Sequence, residues 1–310
     1  MNKLKIHFLN TIWSDAILLE ANNHFAMIDS ASPFYYPMIK DHLEKHNVKN
    51  IDFIFLTHFH IDHYGNIKNI VSDFNVKKVY LKHYHGLDGT TSSGYASNEE
   101  YIENEFKNFN DILNTCNDNN TDIIYMDDIK DKEFIINFEG ILFDVFNYNN
   151  LLYELYSDKN SEYYNQKRFN ENFNSAGLFT KVNNFNIFFG GDITCSIAPI
   201  KEVYMLSYKM VEEIYKKYNI SHIDIYKSCH HGGGGTNTLE LCSLIKARFT
   251  IITNTARWLD NWPTFKNLKN AYNDVVILLT DHQKYIFEIS DKISYDVLKE
   301  ESLFITLGKN

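Results

Sequence analysis

The chain has 310 residues, of which 44% are hydrophobic and 23% are charged, and this composition excludes disordered, collagen-like and low-complexity classes. Its 30 basic and 40 acidic residues leave a net charge of −10, which excludes the overall positive field that non-specific nucleic-acid binding needs. The longest apolar runs have the length of strands, far below the ~20 residues of a membrane span.

Short strands dominate the predicted secondary structure of the first half. The pattern predicts strands at residues 3–10, 15–21, 24–30 and 51–56, a strand ending at 79–81, helices at 37–45 and 99–113, and strands at 123–126, 134–138 and 141–146. Residues 148–174 are polar and rich in Tyr and Asn, which predicts a long excursion over a surface or an active site.

The second half repeats the alternation of strands and helices. The predicted strands are 178–182, 185–189, 223–226, 249–253, 275–279 and 285–289, and the predicted helices are 197–218, 239–245 and 265–272. Two similar halves of this kind predict an α/β fold, an α/β/β/α sandwich of two mixed sheets flanked by helices. Few segments resemble a linker, so we predict one domain over 1–310 with a core at about 3–290.

The strongest chemical signal follows the apolar strand at 51–56. Four possible metal ligands stand there within six positions: His58, His60, Asp62 and His63. Zinc favours imidazole nitrogen and carboxylate oxygen. On an extended segment His58 and His60 project to the same side, and the other two can face a second ion close by. A loop of solvated histidines is the alternative, but chance produces the full HxHxDH pattern on the order of once in a thousand such sequences.

Two later strand ends carry further candidates. After residues 185–189, two glycines precede Asp192, and they let the backbone approach a neighbour closely. After residues 223–226, His230 and His231 precede four glycines. Taken alone, a Gly-Gly-Asp sequence is more often an ordinary turn, and a single histidine is more often structural. The remaining histidines have no partner motif and predict no site.

In this order, the HxHxDH segment, the Gly-Asp sequence and the His-His-Gly sequence resemble the metallo-β-lactamase superfamily of metallohydrolases. Residues 14–19 and 25–30 are similar to its opening strands, and residues 174–179 are similar to a segment of one branch. That branch is the metallo-β-lactamase domain of bacterial competence-type DNA-uptake proteins, with its free-standing relatives. The resemblance spans roughly residues 3–290 and does not fix a substrate.

The resemblance implies two divalent metal ions, Zn²⁺ as the first choice and Mn²⁺ as the second. His58 and His60 would hold the first ion, Asp62 and His63 would hold the second, and Asp192 would bridge both.

One histidine of the adjacent pair should complete the shell of the second ion. We favour His231, because the residue nearer the glycines can turn inward, although the choice between the two neighbours stays open. His230 would then lie beside the substrate, where it binds a phosphate-like oxygen or protonates the leaving group. The candidate catalytic residues are therefore Asp62 and His230.

One expected ligand is missing from the chain. The superfamily usually supplies a third histidine to the first ion from the stretch before the Gly-Asp sequence, but no histidine lies between His85 and His222. The aligned position falls near Ser175, whose hydroxyl binds zinc much more weakly. Because the competence-type branch also tends to lack this histidine, the gap favours that branch over an inactive enzyme.

These features predict a metal-dependent hydrolase, first of all a phosphodiesterase that attacks a small or short phosphoester with a metal-bridging hydroxide. The alternatives are a lactonase or thioesterase-like hydrolase on the same metals, and a non-catalytic metal-binding module. The acidic charge predicts no stable nucleic-acid partner, and no membrane association is expected. Four widely spaced cysteines favour a reduced, cytoplasmic compartment.

Overall fold

The computed structural model describes residues 3–89, 94–166, 169–194, 204–233, 235–259 and 263–299. In these ranges two large mixed sheets pack face to face and helices cover their outer faces, which confirms the predicted α/β/β/α sandwich. A search of the same ranges finds no helix with the length and apolar character that a membrane crossing requires.

The described residues form seventeen strands. In chain order they are β1 (Leu4–Phe8), β2 (Ile17–Ala21), β3 (His24–Ile28), β4 (Asn50–Ile51), β5 (Phe53–Phe55), β6 (Asn75–Val76), β7 (Lys78–Leu81), β8 (Asp122–Tyr125), β9 (Phe134–Phe138), β10 (Ile141–Phe146), β11 (Gly177–Val182), β12 (Phe185–Phe189), β13 (Ile225–Lys227), β14 (Phe249–Ile252), β15 (Val276–Leu279), β16 (Gln283–Ile289) and β17 (Ile293–Lys299). The last strand lies beyond the predicted core and pairs with β16.

Both large sheets change from antiparallel to parallel pairing part-way across. The first has the order β17-β16-β1-β2-β3-β5-β7-β8, with antiparallel neighbours as far as β3 and parallel neighbours beyond it. The second has the order β9-β10-β11-β12-β13-β14-β15 and changes after β12. Ligand sites in open α/β sheets lie at the carboxyl ends of strands where the order of strands changes. Here those ends belong to β3, β5, β12 and β13.

Nine α-helices lie in seven of the connections between the described strands. They are α1 (Tyr36–Lys45), α2 (Ile61–Tyr64), α3 (Ile67–Asp73), α4 (Asn98–Asp118), α5 (Leu151–Ser157), α6 (Leu206–Tyr218), α7 (Leu239–Ile245), α8 (Ala256–Leu259) and α9 (Thr264–Ala271). The helix predicted at 197–218 is described from residue 206 onward, and its residues 197–203 lie outside the described ranges. Residues 148–174 contain α5 and a short 3₁₀ helix, Glu171–Asn174.

Strand alternation separates the buried side chains into layers. On β1, Ile6 and Phe8 face the second sheet and join the core between the sheets, while His7 points to the opposite face, toward α1. That outer face packs on α1, α3 and α4, with Leu43 and Ile70 among its buried residues. The outer face of the second sheet packs on α6 and α7.

Candidate metal centre

The residues of the predicted site come from strand ends in both sheets. His58, His60, Asp62 and His63 follow β5, Asp192 follows β12, and His230 and His231 follow β13. Gly191, which precedes the aspartate, has a φ of +51°, and a Cβ atom there would lie 2.3 Å from Ser175 Oγ. A side chain at this position would therefore displace the turn that presents Asp192.

Four of these residues form one compact cluster, which we call the four-ligand group: Asp62, His63, Asp192 and His231. Each offers one ligand atom, and these atoms all lie within 4.8 Å of one another. Asp192 Oδ2 is 3.2 Å from His63 Nε2 and 3.3 Å from His231 Nε2, and Asp62 Oδ2 is 3.2 Å from His231 Nε2. Two ligands about 2.0–2.1 Å from one tetrahedral zinc ion are roughly 3.3 Å apart, so this spacing fits a single ion.

The polar atoms of the four-ligand group also fit a cation. His63 Nε2 and Asp192 Oδ1 are buried and form no hydrogen bond within the described part of the chain. Buried polar atoms in folded proteins nearly always have a partner, because an unpaired one costs free energy. Imidazole nitrogens and carboxylate oxygens together match the ligands that zinc prefers.

His58 and His60, which we call the histidine pair, stand next to this group. His58 Nε2 lies 3.0 Å from His60 Nδ1 and 4.0 Å from Asp192 Oδ2, so the two rings present neighbouring nitrogens on the side of Asp192. Ser175, which stands near the position of the missing histidine, is fully buried and accepts a 2.9 Å hydrogen bond from the Asp192 amide. Its described contact therefore positions Asp192.

Each of the four histidines in these two sets has a partner for the ring nitrogen that faces away from the centre. The partners are Thr57 for His58 Nδ1 (3.1 Å), Asp88 for His60 Nε2 (2.8 Å), Asp29 for His63 Nδ1 (2.7 Å) and Thr253 for His231 Nδ1 (2.8 Å). Such partners fix the tautomer and the ring orientation of a metal-binding histidine. The opposite nitrogen of each ring therefore faces the centre, next to the other candidate ligand atoms.

Sequence reasoning did not identify these supporting residues. Asp29 had a usable signal, because it ends an apolar strand in the same way that Asp192 does. Asp88 had none, since it lies in a loop without a motif, although it is completely buried.

A buried ion pair lies beneath Asp192. Lys227 on β13 forms an ion pair with Asp15, and both side chains are about 1% exposed. Lys227 Nζ also donates to the Gly191 carbonyl oxygen at 3.3 Å and stands 3.8 Å from Asp192 Oδ1. The pair supports the turn and the carboxylate from the protein interior.

His230 and His231 have different surroundings although they are neighbours. His231 is buried with its Nε2 in the four-ligand group, whereas the His230 side chain is 33% exposed and its Nε2 is 3.9 Å from Asp192 Oδ2. Both residues adopt left-handed backbone conformations, with φ values of 48° and 50°. For residues other than glycine this costs on the order of 1–3 kcal/mol each. The conformation directs one ring inward and leaves the other at the rim.

The electrostatics of the centre favour positive charge. Burial opposes charge on His231, but the carboxylates of Asp192 and Asp15 together outweigh it and raise the pKa of His231 to about 10. Burial likewise opposes charge on His60, yet its hydrogen bond to Asp88 raises the pKa to about 9. Burial and the neighbouring histidines hold the pKa of His58 well below its usual value. A metal ion would therefore displace protons from the ligands that it binds.

The first part of the chain matches a known family. Residues 14–139 match the model of the metallo-beta-lactamase superfamily, a span that contains the HxHxDH segment but ends before Asp192. No sequence among the curated proteins matches the chain.

Several solved structures are similar to this chain along most of its length. The metallo-beta-lactamase fold protein YhfI from Bacillus subtilis has 11% identity and a TM-score of 0.52, over 93% of this chain and 100% of that one. A diphosphatase from the PhnP family has 11% identity and a TM-score of 0.42, over 93% of this chain and 98% of that one. The Rm3 metallo-beta-lactamase has 11% identity and a TM-score of 0.39, over 72% of this chain and 77% of that one.

The chain thus has the metallo-β-lactamase fold, and the family match supports the superfamily that its motifs resemble, one of metal-dependent hydrolases that typically use zinc. The resemblance to the competence-type branch stays a prediction, as do the roles of the individual site residues.

Proposed function

We propose that this protein is a metal-dependent hydrolase that cleaves small or short phosphodiesters. The observation that carries the proposal is the four-ligand group, with its ligand atoms within 4.8 Å of one another. Two imidazoles and two carboxylates suit Zn²⁺, and the oxygen ligands leave Mn²⁺ as the second choice. Divalent ions bound there and at the histidine pair would activate water and stabilise the negative charge that develops during hydrolysis.

Asp192 is the residue that both sets of ligands share. Its Oδ2 lies 3.2 Å from His63 Nε2 and 4.0 Å from His58 Nε2, so one carboxylate stands between the four-ligand group and the histidine pair. We infer that Asp192 would be a ligand of both ions. Asp62, whose side chain is 28% exposed, is the member of the four-ligand group nearest to solvent, and we assign it a catalytic as well as a ligand role.

Residues at the rim of the metal centre support the proposed substrate class. Asn172 Nδ2 lies 3.2 Å from His230 Nε2, so an amide and a partly exposed imidazole stand together beside Asp192. The second amide hydrogen of Asn172 can donate to a phosphate oxygen, and His230, once protonated at Nε2, can protonate a leaving group. The net charge of −10 favours a small substrate over long DNA. Lactones and thioesters are the alternative class for the same residues.

The test is an activity panel on the full chain, supplied separately with Zn²⁺ and with Mn²⁺. We expect bis(p-nitrophenyl) phosphate to be hydrolysed faster than p-nitrophenyl phosphate, a homoserine lactone, a thioester or DNA. Asp192→Asn should abolish this turnover. The matched control is Asp144→Asn, which changes a buried carboxylate on β10 that pairs with Lys217 at 2.6 Å, and it should retain activity.

Other outcomes would correct the proposal in distinct ways. Faster turnover of a lactone or a thioester would replace the phosphodiester by the carboxylic class. Metal binding without turnover of any substrate would favour a non-catalytic metal-binding module. If Asp192→Asn kept the turnover of the wild type, Asp192 would not be a metal ligand that catalysis requires.

A further inference from the structure

Three histidines outside the metal centre converge between β1 and α1. His7 lies on β1, His42 lies in the last turn of α1, and His46 follows the end of that helix. One ring nitrogen from each lies within 4.8 Å of the others, and His7 Nδ1 is 3.0 Å from His42 Nε2. His7 and His42 are buried, and His46 is half-buried. We call these residues the histidine triad.

The fold itself produces this convergence. Strand alternation points His7 away from the core between the sheets, so that it meets the helix packed on the outer face. His42 and His46 are four positions apart, and residues with that spacing lie on one face of a helix. No sequence motif links these histidines, because their convergence depends on how α1 packs on the sheet.

Burial disfavours charge on two of the rings, and a carboxylate lies behind the third. Burial, with the neighbouring positive groups Lys284 and Lys45, lowers the pKa of His42 to about 2, and burial also lowers the pKa of His46. Glu20 Oε2 on β2 lies 3.5 Å from His7 Nε2, at the outer limit of hydrogen bonding. A carboxylate stands in the same way behind His60 and His63 in the metal centre.

We propose that the histidine triad is a second metal site, which binds one zinc ion and attaches α1 to β1. The 3.0 Å between His7 Nδ1 and His42 Nε2 is near the roughly 3.3 Å expected for two ligands of one tetrahedral zinc ion. Three imidazoles select zinc over Mg²⁺, Ca²⁺ or Mn²⁺, which prefer oxygen ligands. Water completes the shell. Because the site joins α1 to β1 and shares no residue with the metal centre, we assign it a structural role.

The test compares zinc content in the full-length wild type, His46→Gln and the control His222→Gln. His46 is half-buried at a helix end and tolerates exchange, and His222 has a half-exposed side chain outside the triad. After dialysis against the same free zinc concentration, we expect His46→Gln to hold one zinc ion per chain less than the other two proteins. Its turnover of the best substrate should equal that of the wild type. Equal zinc in all three proteins would overturn the proposal.

A second measurement does not depend on any variant. Nitrogen-detected spectra of the wild-type imidazoles should show His7 Nδ1 and His42 Nε2 shifting on addition of zinc, in addition to the shifts from the metal centre. Zinc saturation without a shift at these two nitrogens would also overturn the proposal.

Discussion

Asp88 shows how one buried carboxylate can control a ligand without touching a metal ion. Its Oδ2 accepts from His60 Nε2 at 2.8 Å, and this contact leaves His60 Nδ1 as the nitrogen that faces His58 Nε2. A carboxylate in this position also makes the imidazole a stronger base and therefore a better ligand. Because the histidine pair lacks a third imidazole, its affinity depends strongly on this support.

Removing the charge of Asp88 should weaken metal binding at the histidine pair. We expect Asp88→Asn to lower the affinity for the more weakly held ion by ~10–100-fold, the usual cost of losing a partner behind a ligand. Asp127→Asn is the matched control, because Asp127 bonds His83 Nδ1 at 3.2 Å away from the centre. Competition with a chromophoric chelator measures both affinities. An equal loss in the two variants would show that the effect is not specific to His60.

At the scale of elements, the 3₁₀ helix Glu171–Asn174 places a buried charge beside the centre. Burial raises the pKa of Glu171 to about 7, although His60, Lys82 and a hydrogen bond from Asn174 each act to lower it. Burial lowers the pKa of Lys82 to about 7. Glu171 and Lys82, which carry opposite charges when ionised, therefore both change their ionisation near pH 7.

The burial of Glu171 should affect how the free energy of unfolding depends on pH. With its pKa raised in the folded state, Glu171 contributes stability below pH ~4.5 that is lost as the pH rises toward 7. Glu171→Gln should remove this loss, so its stability relative to wild type should increase between pH 4.5 and 7, by at most about 3 kcal/mol. Urea unfolding of chelator-treated proteins across this range measures the difference. A constant difference would show that Glu171 ionises normally.

Local patterns account for the elements and residues that the sequence predicted. The HxHxDH segment could be identified from the sequence because the apolar strand and the candidate ligands are adjacent in the chain. Asp88 comes from a loop and Asn172 from the 3₁₀ helix Glu171–Asn174, and the positions of both depend on long-range packing that no local pattern marks. The strand β17 was not predicted, although apolar Ile293, Tyr295 and Val297 alternate with polar residues along it.

At the scale of the whole molecule, the four-ligand group joins the two sheets. Asp62 and His63 follow β5 of the first sheet, while Asp192 and His231 follow strands of the second. A ligand that binds only the folded state stabilises it, by ~4 kcal/mol at a concentration 1,000 times its dissociation constant. A metal ion bound at this position would therefore link the two sheets of the sandwich.

Graded chelation should release the ions in two steps with different effects on stability. The variant His46→Gln is the suitable background, because it lacks the histidine triad. The ion at the histidine pair has fewer ligands and should leave first, with loss of activity. The ion of the four-ligand group should leave second and lower the Tm on the order of 10 °C. Elemental analysis and thermal unfolding at each chelator concentration test this. Simultaneous loss of both ions, or an unchanged Tm, would contradict it.

At His230 and His231, whose backbone is left-handed, selection for stability and selection for ring chemistry favour different residues. Glycine and asparagine accept this conformation at little cost, so selection for folding alone would favour them at both positions. We therefore expect histidine to be kept at these two positions for the chemistry of its ring. A descendant of this protein that lost its metal chemistry would gain stability by replacing both rings, and the same two codons would then record when the activity was abandoned.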